Sequence, residues 1–232
     1  MTVARALIVL IALALVAGCG GDEETTQVRV YWLRDGQVWP TGRAVEGPLV
    51  ESAALTELFL GPSPEEEEKL DATTAIPGGD PTLTIEGGVA RIQPEGEYST
   101  EALAQIVYTL TQFPDIEGVE IGGESYTRAD FEDETPSVLV ESPLPFEEVT
   151  SPLRVTGTAN TFEANFNYEL VDSEGNVVDE NFVTATSGTG TRGTFDFTTG
   201  DFDDVAALVV FELSAEDGSR IHEVEIPLRT SQ

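Results

Sequence analysis

The spacing of apolar residues changes partway along this chain, and that change restricts the fold more than any other feature of the sequence. Before residue 125, two segments carry apolar residues at the helical spacing of three and four, with short alternating segments around them. After residue 136 the periodic segments alternate with a period of two, as in Phe166, Tyr168 and Leu170. We therefore expect an α+β domain over residues 28–124 and an all-β domain over residues 137–230.

Turn and capping residues place the elements of the first domain. Asp35-Gly36 separates two alternating runs and predicts a tight hairpin. Ser63, Pro64 and Glu66 have the spacing of a capping box, so the run of four glutamates there is interpreted as a helix start and not as a metal site. In order, the predicted elements are a hairpin over 28–39, a helix between Ser52 as N-cap and Gly61, a helix starting at Ser63, a hairpin over 82–92, a helix capped by Thr100 and stopped by Pro114, and a strand over 118–121.

The second domain is predicted from its strands. Residues 125–136 are acidic and lack apolar periodicity, so they are interpreted as a linker. About seven short strands follow with turns between them, a pattern typical of an immunoglobulin-like β-sandwich. They cover residues 138–140, 153–158, 164–171, 181–186, 194–197, 207–213 and 221–228.

The N-terminus has the layout of an export signal. Arg5 precedes an unbroken apolar run over residues 6–17, which is shorter than the roughly 20 residues that span a bilayer. The residues before Cys19, ending in Ala17-Gly18, resemble the bacterial lipobox, in which the cysteine is lipidated before cleavage. We therefore expect residues 1–18 to be a lipoprotein signal peptide cleaved between Gly18 and Cys19.

Lipidation would also explain why an exported chain contains a single cysteine. The segment after it is polar and begins with two glycines, so residues 19–27 are expected to form a flexible tether. Cys19 is thus the predicted attachment point to the outer face of a membrane.

Charge narrows the choice of partners. The chain carries a net charge of −32, and because residues 1–18 contain only Arg5, the chain from Cys19 onward carries −33. Such a field repels phosphate groups, which excludes nucleic acid as a partner. Two explanations of the acidity stay open: a solvated surface suited to a salty or alkaline exterior, and a specific cationic partner.

The groups that catalysis would require are scarce. His222 is the only histidine, and it shares strand parity with Val224 and Ile226, so it is interpreted as a half-buried residue of the sandwich. Zinc would need more nitrogen or sulfur ligands than the chain has. Paired carboxylates could hydrolyse glycosides, but with 43 acidic residues no pair stands out. The chain is therefore expected not to be an enzyme and to use no cofactor.

Two other segments could bind ligands. Asp201, Asp203 and Asp204 cluster in one loop and are weak candidates for calcium ligands, although an acidic turn is the preferred interpretation. The glycine-rich segment 187–193 has no helix after it, so it is interpreted as a loop and not as a phosphate-binding site. Trp39 and Tyr126 are candidate anchors for a partner, with core packing as the alternative for each.

Several segments resemble a known pair of domains. Val30-Tyr-Trp32, Ala54–Pro62 and above all Gln105–Pro114 resemble the sporulation and spore germination domain called GerMN. The segments from Ser151 to Ala164 and from Phe211 to Pro227 resemble its usual companion, the immunoglobulin-like domain of bacterial spore-germination proteins. The resemblance implies a lipoprotein of a Gram-positive envelope that acts through protein contacts, and it supplies no catalytic residues.

The sequence thus predicts a non-catalytic lipoprotein, anchored through Cys19 on the extracytoplasmic face of the cell membrane, that recognises another envelope protein. Two alternatives stay open. One is an accessory module that binds cell-wall glycan, and the other is a calcium-dependent adhesive protein.

Overall fold

The computed structural model describes residues 25–93 and 96–231. The predicted signal peptide, Gly18 and Cys19 lie outside these residues. The first domain consists of β1 (Thr25–Arg34), β2 (Gln37–Glu46), α1 (Val50–Leu60), α2 (Pro64–Leu70), β3 (Thr82–Glu86), β4 (Val89–Gln93), α3 (Thr100–Leu110), β5 (Gly118–Ile121) and β6 (Glu124–Tyr126). β1 and β2 form a hairpin, and the other strands form a sheet in the order β3-β4-β5-β6.

The second domain contains only strands and a short 3₁₀ turn. Its strands are β7 (Val138–Ser142), β8 (Glu148–Val149), β9 (Arg154–Ala159), β10 (Asn165–Val171), β11 (Val177–Thr184), β12 (Gly193–Thr198), β13 (Ala207–Leu213), β14 (Arg220–Pro227) and β15 (Arg229–Thr230). They form a four-stranded sheet β11-β10-β13-β14, a three-stranded sheet β12-β9-β7 and the short pair β15-β8. The predicted α+β domain followed by an immunoglobulin-like sandwich is confirmed.

The β1–β2 hairpin lies in the middle of the first domain. Asp35 and Gly36 both have positive φ, which is the backbone that a two-residue hairpin turn requires, and Arg34 pairs with Gln37 across it. Strand residues on both faces of the hairpin are buried, among them Tyr31 and Trp32, neither of which is exposed. The hairpin therefore contributes to the hydrophobic core of the first domain, although its two strands join no larger sheet.

The outer edge of β1 is covered by side chains of α3 and of the turn that follows it. Gln112 accepts a hydrogen bond from the amide of Arg29 at 2.7 Å and donates to its carbonyl at 2.6 Å. One turn back, Thr109 accepts from the amide of Tyr31, and Gln105 donates to the Tyr31 carbonyl at 2.9 Å. Gln105 and Thr109 of α3 and Gln112 just beyond its end thus supply the partners that a neighbouring strand would otherwise provide.

The helix starts follow local capping chemistry, with two corrections. Ser63 and Glu66 form the predicted capping box of α2. The helix predicted from Ser52 begins earlier, at Val50, without a side-chain cap, and Ser99 in place of Thr100 caps α3. The α3 shift is one residue, within the usual spread of helix boundaries, whereas the N-cap of α1 moves three residues, from Ser52 to Leu49.

Glu66 has a second role that capping alone would not predict. Its side chain is only 7% exposed and pairs with Arg43, and it accepts a hydrogen bond from the indole of Trp32 at 3.2 Å. Burial alone would raise the pKa of Glu66, but the bonds from Arg43 and Thr41 and the capping bond outweigh it and lower the pKa to about 2. The acidic run is thus a helix start, as predicted, with one carboxylate built into the core.

Two predicted boundaries need correction. Residues 25–27, assigned to the tether, are the first residues of β1 and pair with residues 44–46 of β2. Residues 125–136, assigned to a linker, contain the end of β6 and a 3₁₀ turn over Arg128–Phe131, with Phe131 and Thr135 buried. The sequence analysis did not recognise this segment as folded, because its buried residues are isolated along the chain and do not recur at the period of a helix or a strand.

Candidate functional site

A partly buried charge network joins the two domains. Glu141 on β7 accepts hydrogen bonds from Arg128 Nη1 at 2.9 Å and from the hydroxyl of Tyr31 on β1. The guanidinium of Arg128 also donates to Thr111 at 2.8 Å and lies 4.6 Å from the ring centre of Tyr108. One carboxylate of the second domain is therefore held by Tyr31 of the first domain and by Arg128 of the segment that connects the domains.

The electrostatics of this network keep Glu141 ionised and Tyr31 neutral. Burial opposes ionisation of Glu141, but the charge of Arg128 and the Tyr31 hydrogen bond outweigh it, so the pKa of Glu141 is lowered. Burial, together with the nearby Glu141 charge, raises the pKa of Tyr31 well above its ordinary value. At neutral pH the network is thus an Arg–Glu ion pair to which a neutral phenol donates.

A second set of polar contacts lies at the connecting segment. Glu132 pairs with Arg192 of the second domain at 2.9 Å and accepts a bond from Asn160 at 2.8 Å. Nearby, the amide of Val38 donates to the carbonyl of Glu134 at 2.7 Å. The connecting segment is thus bonded to both domains.

Trp39 completes the junction from the apolar side. It belongs to β2 of the first domain, yet it is 5% exposed and packs in the core of the second domain, in a cluster that includes Val138 and Val140. Within the described residues its indole Nε1 is buried without a hydrogen-bond acceptor. Of the two interpretations of Trp39, core packing is therefore correct.

A cleft of about 710 Å³ opens beside this junction. One wall carries Gly42, Ala44 and Phe113 of the first domain, and the other carries Leu144 and Phe146 of the loop between β7 and β8. Gly42 and Ala44 are neighbours on one face of β2 and have little or no side chain, so they leave the volume open. A Cβ built on Gly42 would lie only 3.4 Å from Leu144 Cδ1, which shows how closely the walls approach at that point.

The polar groups of the cleft include unused hydrogen-bonding capacity. The Nε of Arg29 is buried without an acceptor among the described residues, and its Nη1 is 3.5 Å from the Glu141 carbonyl. The backbone N–H and C=O of Gln27 face the same edge of β1 as those of Arg29. They lie beyond the two hydrogen bonds that Gln112 makes to Arg29. The cleft therefore offers a cation and, among the described residues, an unpaired stretch of strand edge between apolar walls.

The predicted calcium candidates are not brought together. Among residues 25–93 and 96–231, no three His, Cys, Asp or Glu side chains are placed to hold a metal ion. Asp204 accepts bonds from the amide and hydroxyl of Ser173 and from Thr230, and the Ser173 hydroxyl is the main reason that its pKa is lowered. Asp204 thus ties a loop to its neighbours.

The prediction for His222 is wrong. Its side chain is 57% exposed, because a register shift between β13 and β14 and a φ of 51° at His222 change the strand parity. Its Nδ1 lies 2.7 Å from Glu212 and 3.3 Å from Ser137. A serine–histidine–acid relay uses both ring nitrogens, whereas here one nitrogen faces both groups, so the arrangement does not form such a relay.

Tyr126 is partly buried and packs on the core of the first domain near Phe131, so it is not the exposed anchor that one interpretation offered. The exposed aromatic residues are Phe182 and Phe162, at 68% and 62%. The alternation around Phe182 contained the necessary signal, since Val183 on the same strand and Ala185 just after it are buried. The cleft had no comparable signal, because its walls come from two domains.

None of the helices in the described part of the chain has both the length and the apolar character needed to cross a membrane.

Each of the two domains matches a known protein family. Residues 24–126 match the family described as "Sporulation and spore germination", and residues 137–219 match the "Immunoglobulin-like domain of bacterial spore germination". No curated protein matches the chain as a whole.

Among solved structures, the tandem GerMN domains of the sporulation protein GerM from Bacillus subtilis match with 15% identity and a TM-score of 0.33. The match covers 78% of this chain and 63% of that one. The two family matches lie on either side of the connecting segment, residues 127–136, and together span most of the described residues. The chain therefore carries a sporulation and spore germination domain of the GerMN type followed by an immunoglobulin-like domain of bacterial spore germination.

Proposed function

We propose that this protein is a lipoprotein on the outer face of the cell membrane, and that it acts in sporulation or germination as a non-catalytic module that binds another envelope protein. The observation that carries the proposal is the junction cleft, whose two walls come from different domains. Because the Glu141 network and Trp39 fasten those domains together, the walls keep a fixed spacing. A preformed groove with few moving parts loses little entropy when it binds a partner.

The position of the cleft fits an anchor at Cys19. Six residue steps separate Cys19 from Thr25, and a fully extended chain covers at most about 22 Å over that distance. Thr26 and Gln27 line the cleft, so its opening would lie close to the membrane surface. A partner embedded in the same membrane could reach it there.

Replacing Cys19 by alanine tests the anchor. We expect Cys19→Ala to move the protein from the membrane fraction to the soluble fraction with an unchanged unfolding temperature, because the two described domains and their cores lie within residues 25–231. Membrane and soluble fractions of the host cells are compared by immunoblot. A Cys19→Ala protein that stays with the membrane would refute lipid anchoring through this residue.

Filling the cleft tests the binding role. A photo-reactive phenylalanine analogue in place of Leu144 is expected to crosslink to a membrane protein in cells. Ala44→Trp should lower that yield by about tenfold or more, because the exposed Ala44 position faces the cleft and an indole would occupy its volume.

Glu124→Trp is the matched control, since Glu124 is also an exposed strand residue but lies outside the cleft. It should leave the yield unchanged. A crosslinking yield that is equal in the Ala44→Trp protein and the control would show that the cleft is not the binding site. Adducts to cell-wall glycan alone would favour the glycan-binding alternative.

A further inference from the structure

The outer face of the β11-β10-β13-β14 sheet carries two ordered rows of side chains. Asn167 on β10 pairs with Phe182 on β11 and with Phe211 on β13, so the first row holds two aromatic rings on either side of one asparagine. Side chains two positions further along each strand point to the same face. Phe211 is buried, whereas Phe182 is exposed to water.

The neighbouring row is acidic. Glu180 pairs with Glu169, Glu169 with Val209, and Val209 with Glu225, so three carboxylates lie at one level of the sheet. Arg220 neutralises only the central one, Glu169, through two hydrogen bonds. Among the described residues, Glu180 and Glu225 are exposed and form no ion pair.

Arg220 also shapes the surface. Its guanidinium lies 4.0 Å from the ring centre of Phe211 and covers that ring, while Phe182 stays 68% exposed and Leu213 53% exposed. These residues surround one shallow depression of about 400 Å³. Phe182, Leu213, Arg220, Glu180 and Asn167 are called the sheet-face patch below. The patch shares no residue with the junction cleft.

The chemistry of the patch selects its ligand. Exposed Phe and Leu favour the burial of apolar side chains of a partner. The two unpaired carboxylates favour cations, and the net charge of −32 would draw a basic partner towards the face and repel anionic lipid headgroups. An apolar centre with charges at its rim is also the usual anatomy of a protein interface.

We propose that the sheet-face patch is a second docking surface, separate from the cleft, and that it binds a polypeptide segment of another protein that combines an apolar side chain with nearby Lys or Arg. The apolar side chain packs against Phe182 and Leu213. The basic side chains pair with Glu180 and Glu225 at the rim. This surface adds a second partner site to a protein whose cleft already provides one.

In-cell photo-crosslinking with the full chain tests this proposal. A photo-reactive phenylalanine analogue replaces Thr184, which is exposed and lies on the same sheet face two residues from Phe182. The adduct is digested, and the attached segment is identified by mass spectrometry. We expect a protein segment that contains Lys or Arg beside apolar residues.

Variants distinguish specific binding at the sheet-face patch from non-specific attraction by the negative charge of the whole protein. Phe182→Ala and the double variant Glu180→Lys/Glu225→Lys should each lower the crosslinking yield by about tenfold or more. Glu124→Lys changes the charge on an exposed strand of the first domain and should leave the yield unchanged. The analogue placed at Asp196, which is exposed on the other sheet, should not produce the same adduct. Unfolding temperatures of the variants check that the fold is intact.

Four outcomes would overturn the proposal: no adduct, an adduct only to glycan or lipid, an attached segment without basic residues, or a yield unaffected by the charge reversals at Glu180 and Glu225. Crosslinks from Leu144 in the cleft are read separately, so a failure at Thr184 leaves the proposed function of the cleft intact. Loss of both sets of adducts would instead refute the interaction role as a whole.

Discussion

Trp39→Ala is expected to lower the free energy of unfolding by about 3–5 kcal/mol, which is the usual cost of removing a large aromatic side chain from a packed core. Trp39 belongs to the first domain in sequence, but its indole lies in the core of the second. The variant should therefore leave a cavity among residues of the sandwich. We expect the second domain to unfold at a lower temperature than the first, as two transitions in calorimetry.

Trp39→Phe is the matched control for this prediction. Phenylalanine keeps most of the apolar volume and removes the indole N–H, which has no acceptor in the native core among the described residues. Removing a buried, unpaired donor offsets part of the lost packing, so we expect a cost well below that of alanine. Equal destabilisation by Phe and Ala, or a single unshifted transition in Trp39→Ala, would contradict the assignment of Trp39 to the second core.

Arg128→Met is expected to lower the free energy of unfolding by about 3 kcal/mol at neutral pH. Methionine fills part of the space of the arginine stem but leaves Glu141 only 14% exposed, charged and bonded to the Tyr31 hydroxyl. Removing one partner of a buried ion pair costs more than the pair itself contributes, because the other charge has already lost its water. Chemical denaturation of wild type and variant measures the difference.

The pH dependence of that difference identifies its cause. The pKa of Glu141 is lowered in the folded protein, so its contribution is complete above the unfolded value near 4.5 and is lost as the pH falls through the lower folded value. In Arg128→Met the folded pKa of Glu141 should rise, and protonation then relieves the buried charge. The gap between wild type and variant should therefore shrink as the pH falls below about 4.5.

Arg154→Met is the control for a surface ion pair. Arg154 pairs with Asp196 at 2.5 Å, but the two side chains are 69% and 57% exposed. Water and salt screen such exposed pairs, so they contribute little to stability and this variant should remain close to wild type. A loss at Arg128→Met no larger than that at Arg154→Met, or one independent of pH, would mean that the network does not hold the domains together.

Much of the fold could be predicted because its signals are local. The Asp35-Gly36 turn, the capping box at Ser63 and the apolar face of α3 each depend on residues a few positions apart. Alternation placed the seven main strands of the sandwich to within a few residues. Where prediction failed at short range, as for His222, a register shift had changed the period on which the prediction depended.

The candidate sites depended on contacts that are distant in sequence. Glu141 meets Tyr31 across 110 residues, and nothing near either residue indicates the other. Likewise, Phe182 and Phe211 become neighbours only through the pairing of β10 with two strands. Local patterns determine which way a side chain faces, but not which element lies opposite.

The sequence by itself determined the order of the two domains, their classes and most of their elements, because helix and strand periods and turn residues act over short distances. Its predictions for Cys19 lie in a segment that the described structure does not include. Only the tertiary structure decided that the junction is a packed interface, that Trp39 completes the neighbouring core, and that Gly42 and Ala44 leave a cleft open beside it. The reason is physical: burial and electrostatic pairing depend on which surfaces meet, and the close packing of two domains sets that for all their residues at once.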